Sequence, residues 1–63
     1  MKIWAGEIKK ATIFCRNANT LAQVIKVIEI DGVGKVLYVN WISNTIDVEA
    51  PTDYLNYLQK DWA

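Results

Sequence analysis

Chemistry in a short chain starts with the side chains that move protons, attack carbon or hold metals, and the first observation here is an absence. The 63 residues contain no histidine, which removes the commonest general base, the commonest metal ligand and every Ser-His or Cys-His dyad. Carboxylates remain. Asp47 and Glu49 lie two apart, as do Glu29 and Asp31, so on strands each pair would project from one face. Paired carboxylates perform glycosidic acid/base chemistry only in a cleft that desolvates one of them. A carboxylate alternating with Ile or Val is the ordinary solvent face of a half-exposed strand, and no spacing matches an EF-hand loop. The expectation is a chain with no catalytic residue, no metal ligand and no cofactor.

Two further motifs resolve the same way. Gly32-Val33-Gly34-Lys35 has the glycines and lysine of a phosphate-binding loop, but the required four-residue spacer and the following hydroxyl and helix are missing. It reads as a tight turn. The single Cys15 sits in the apolar run Ile13-Phe14-Cys15 with no histidine to activate it, so it reads as a buried thiol in a reducing compartment. The expected address is cytoplasmic: the longest apolar run, Val36-Leu37-Tyr38-Val39, is far too short to span a membrane, and Lys2 is followed by no secretory apolar core.

What stands out is aromatic. Trp4, Phe14, Tyr38, Trp41, Tyr54, Tyr57 and Trp62 exceed the needs of a small core, and Trp and Tyr are frequent anchors of interfaces. Tyr54, Tyr57 and Trp62, with Asp53, form a candidate protein-binding patch toward the C-terminus. Trp4, Lys9, Lys10 and Arg16 form a candidate single-stranded nucleic-acid surface, combining cations with a stacking platform. The net charge is zero, which argues against a diffuse field for nucleic acid. Residues 1–46 nevertheless total +3 and residues 47–63 total −3, suggesting a basic face and an acidic end.

The elements that must position these groups follow from length and pattern. One domain, residues 1–63, is the upper limit, and 52% apolar composition is ample for a core. Eight Ile and six Val against four Leu favour strands. Candidate strands are Ile3 to Ile8, with Gly6 as a bulge, then Ala11 to Arg16, Val24 to Ile30, Val36 to Ile42, and Thr45 to Glu49. Asp31-Gly32-Val33-Gly34-Lys35 closes the third and fourth into a hairpin whose two faces are both apolar, as in central strands covered on two sides or curled into a barrel. Leu21, Val24, Ile25 and Ile28 also match a helical template, the alternative for residues 21–28. After Ala50-Pro51 the period changes. Thr52 is placed to cap a helix carrying Leu55, Leu58 and Trp62 on one stripe over residues 52–62. The expected fold is mainly β: a small antiparallel β-meander (2–49) or SH3-like barrel of four to five strands, with one C-terminal α-helix.

This outline resembles the small SH3-like barrels. Val48-Glu49-Ala50-Pro51, followed by a helix, is also similar to the small RNA-binding carbon-storage regulators. Their arginine-rich N-terminal strand and glycine turns have no counterpart here, so none of their functional residues is carried over.

With no catalytic constellation, zero net charge and surplus aromatics, the expected function is a small non-catalytic protein-binding module. It would be an adaptor or inhibitor of the kind phages and other mobile elements encode, a class-level analogy. The alternative is a single-stranded nucleic-acid-binding small β-barrel. Self-association is a third possibility, motivated by the apolar hairpin faces.

Overall fold

The structure, a computed structural model, describes residues 4–62. Five elements follow one another: β1 (Ile8–Phe14), α1 (Ala18–Asp31), β2 (Lys35–Asn40), β3 (Thr45–Pro51) and α2 (Thr52–Trp62). The strands form one antiparallel sheet in the order β1-β3-β2. β3 pairs with β1 from Ile8↔Pro51 to Phe14↔Thr45, and with β2 from Lys35↔Glu49 to Asn40↔Thr45. β1 and β2 therefore run in the same direction on either side of β3, joined by α1 as a crossover.

This corrects the expected mainly-β fold. The sheet has three strands and is open; it is neither a four- to five-stranded meander nor a closed barrel. The error lies in residues 18–31. Val24 to Ile30 belongs to a helix, because several local terms agree against its β-branched bias. Asn17 Oδ1 accepts from Thr20 N at 3.0 Å, and Thr20 Oγ1 accepts from Asn17 N at 3.2 Å, a reciprocal capping box. Leu21, Val24 and Ile28 then bury one stripe. Gly32, with φ +66°, ends the helix and donates its N–H to Ile28 O. The expected Val24–Ile42 hairpin is thus a helix C-terminus leading into a strand.

At the other end of the chain, β1 is a single strand across what the pattern splits at Lys9 and Lys10. Residues 4–7 precede it without strand pairing, and Gly6 is a bend at φ +108° rather than a bulge. The expected start of the first strand at Ile3 lies outside the described residues. Helix α2 falls where it is expected.

Both helices pack on the same face of the sheet: α2 over β1 and β3, α1 over β2. Between them and the sheet lies the core of Ile13, Cys15, Leu21, Val24, Ile28, Ile46, Val48, Ala50, Tyr54, Leu55 and Leu58. On β3 the alternation is clean: Ile46, Val48 and Ala50 are buried, while Thr45, Asp47 and Glu49 are only half-buried on the opposite face. That opposite face is covered by nothing among the described residues.

Candidate functional site

The residues singled out from the sequence are built mostly into the helix side of the molecule. Tyr54 is fully buried and its hydroxyl donates to Asp31 Oδ2 at 3.1 Å, tying the start of α2 to the end of α1. Burial, then the Asp31 hydrogen bond and charge, push its phenol well above the ordinary tyrosine range. Tyr57 is half-buried, and Trp4 lies across both tyrosines, edge-on to Tyr54 at 5.0 Å and tilted to Tyr57 at 5.1 Å. Trp62 is half-buried against the core, with its indole Nε1 buried and without a hydrogen-bond partner among the described residues. Asp53 is a clamp rather than a free charge: its Oδ2 accepts from Ala5 N at 2.7 Å and its Oδ1 from Tyr54 N at 3.1 Å. The hydroxyl and the N–H of Thr52 both donate to Glu7 O, so residues 5–7 are strapped over the start of α2.

The candidate nucleic-acid residues are not brought together. Trp4 packs on the helix side, the side to which Lys9 also points, whereas Lys10 points to the open face. Arg16 is exposed beyond the end of β1. Among the described residues the sheet carries no basic face: Lys10 and Lys35 are in register with Glu49 from either side, so the two signs interleave across it. Glu29 and Asp31, expected to share a strand face, sit about 200° apart around α1. Asp47 and Glu49 do share a face. Among the described residues no group of three or more potential ligands is arranged to hold a metal ion, and no helix is long and apolar enough to cross a membrane. Cys15 is buried, which raises its thiol pKa.

The surface that sequence reasoning did not single out is the uncovered sheet face. Ile8 and Phe14 of β1 and Tyr38 of β2 stand on it, with Leu37 displaced at an irregularity between Val36 and Tyr38. At its end the β2–β3 turn presents Trp41 and Ile42, 54% and 98% exposed. That turn is held by Asn40, whose Oδ1 accepts from Ile42 N at 3.0 Å and Ser43 N at 3.2 Å, and by Asn44 at φ 54°. The apolar tip is therefore presented on a fixed backbone. In the middle of the face a groove of about 390 Å³ is lined by Lys10, Ala11, Thr12, Leu37 and Asp47. At its floor the Thr12 hydroxyl donates to Asp47 Oδ1 at 2.6 Å.

The signal for this face was present in β3. Thr45-Ile46-Asp47-Val48-Glu49-Ala50 alternates as a strand wet on one side. The apolar residues on both sides of β2 mask it, because they suggest cover where there is none.

The free edges of the sheet are protected. β1 carries Lys9 and Lys10 along its edge, and β2 is irregular at Leu37; both features oppose strand addition by another chain. The open face, not an edge, is the accessible feature. Scans of protein-family models, of curated proteins and of solved structures each return no match to this chain.

Proposed function

We propose that this chain is a small non-catalytic protein-binding module, an adaptor or inhibitor that engages its partner through the open face of the three-stranded sheet. One observation supports this reading above the others. Both helices pack on one side, and the other side exposes Ile8, Phe14, Leu37 and Tyr38, continued by Trp41 and Ile42 on the turn. Phe14, Leu37 and Tyr38 lie at one end of this face, separated from Ile8 by the charged row of Lys10, Glu49 and Lys35, and exposed apolar and aromatic surface bordered by charges is a feature of interaction sites on small domains.

Solubility alone would favour polar residues at these positions, since none of them is needed to close the core. Phe14 is 57% and Tyr38 60% exposed, so replacing them leaves the buried residues untouched. The experiment is co-purification from the native host with tagged wild type, a Tyr38→Ser/Trp41→Ser double variant, and Tyr57→Ala. Loss of the partner in the double variant, with unfolding midpoint preserved, is the expected result. An unchanged partner list would place binding elsewhere, and loss with Tyr57→Ala alone would return it to the helix side.

A further inference from the structure

We infer that the groove on the open face receives an arginine side chain of the partner protein, its guanidinium paired with Asp47 and laid against Tyr38. The inference rests on the protein-binding reading above and names the chemistry of the partner.

The argument is one of charge in register. Along the face, Glu49 is flanked on both sides by lysines, Lys10 on β1 and Lys35 on β2. Asp47, the other carboxylate of the central strand, has Thr12 on one side and Tyr38 on the other. It is the charge on this face without a neutralising neighbour in its own row. Thr12 donates to Oδ1, while no described residue donates to Oδ2. Asp47 lines the groove together with Thr12, Ala11, Leu37 and Lys10, whose own register partner is Glu49.

A cation at Asp47 meets the carboxylate that accepts from Thr12 and, beside the groove at directly paired cross-strand distance, the exposed ring of Tyr38. A planar guanidinium satisfies both at once, forking onto the carboxylate while stacking on the ring. An ammonium satisfies them one at a time. Apolar residues flanking the arginine in the partner would cover Phe14, Trp41 and Ile42.

The same charges argue against other occupants. In a two-fold pairing of this face with a second copy, centred on β3, the Asp47 and Glu49 column lies against its own copy, which places like charges together. A nucleic-acid backbone finds no continuous basic surface among the described residues of this face, because Lys10 and Lys35 flank Glu49 and Asp47 adds a second carboxylate.

The test is selection of randomised 12-residue peptides displayed on phage against the immobilised full chain, followed by solution binding of the synthetic peptides. Selected peptides are expected to contain arginine. Replacing that arginine by citrulline, its uncharged isostere, is expected to weaken binding to wild type by about tenfold. Asp47→Asn is expected to abolish the difference between the arginine and citrulline peptides while keeping the wild-type circular dichroism spectrum. The citrulline comparison is made on wild type, so it stands even where the variant does not fold.

Several results would overturn the inference. Selected peptides that lack arginine, yet shift the amide resonances of Phe14, Tyr38 and Trp41, would reject it and leave the protein-binding face in place. Peptides that shift only residues of α1 or α2 would reject both. Failure to select any peptide, with binding of single-stranded oligonucleotides or anionic vesicles instead, would also reject both.

Discussion

Gly32 and Gly34 sit two residues apart in the α1–β2 connection and are glycine for different reasons, which gives a sharp prediction. A Cβ built on Gly34 would lie 3.1 Å from Ile28 Cγ2, 3.2 Å from Tyr54 Cε2 and 3.4 Å from Val48 Cγ1. These three neighbours come from α1, α2 and β3, all in the core, so the Ile28 and Tyr54 side chains must give by a few tenths of an ångström against packed surroundings. Overpacking of this kind destabilises by about 1–3 kcal/mol. The reduced freedom of the unfolded chain on replacing glycine returns about 0.4–1 kcal/mol. The net expectation for Gly34→Ala is a loss of about 1–2 kcal/mol. In a domain holding only about 3–5 kcal/mol, that lowers the melting temperature by roughly 5–15 °C. At Gly32 a Cβ meets nothing within 4 Å, but φ is +66°, so Gly32→Ala loses about 1–2 kcal/mol through the backbone alone.

The second residue type separates the two causes. Asparagine tolerates the left-handed conformation, so Gly32→Asn is expected to be more stable than Gly32→Ala. At position 34 the larger side chain makes the crowding worse, so Gly34→Asn is expected to be less stable than Gly34→Ala. Urea unfolding followed by tryptophan fluorescence, with m unchanged across the series, provides the measurement. If alanine at 34 is as stable as wild type, or asparagine is better than alanine at both positions, the packing of the connection against Ile28 and Tyr54 is refuted.

Two other predictions concern the helix side. Tyr54→Phe removes the hydroxyl that donates to Asp31 and is expected to lose about 1 kcal/mol, because exposed Asp31 recovers water; a change of less than a few tenths in urea unfolding would show the bond contributes nothing. Because the folded phenol titrates above its unfolded value near 10, wild-type stability is fully present below about pH 10 and falls as pH rises beyond it. Tyr54→Phe is expected to flatten that alkaline decline, measured as the urea midpoint between pH 8 and 11. Asn17→Ala removes the capping box of α1 and is expected to lose about 1 kcal/mol, with Asn17→Asp recovering most of it; equal stability of all three proteins would contradict the cap.

How much of this was readable from residues alone is shown by α2 and α1. Thr52 to Trp62 announces itself because Pro51 breaks the preceding strand and Leu55 and Leu58 recur at helical spacing with no competing pattern. The segment from Leu21 to Asp31 carries two patterns at once. Val24, Ile28 and Ile30 alternate as a strand, and Leu21, Val24 and Ile28 recur as a helix. What decides is non-local: burial of Leu21, Val24 and Ile28 against the sheet, which no local propensity contains. The same limit hid the candidate site. Tyr54 and Tyr57 look like surface residues because Trp4, which covers them, comes fifty residues earlier. Tyr38 and Trp41 look like core residues because nothing local shows that both helices choose the other side.

The central claim is that binding belongs to the open sheet face, and site-specific photo-crosslinking in the host cell tests it most directly. A photoreactive phenylalanine analogue at position 38 stands on that face, and one at position 23 stands on the exposed side of α1. The expected result is one discrete crosslinked protein from position 38 and none from position 23. Crosslinks from position 23 with none from position 38 would contradict the account.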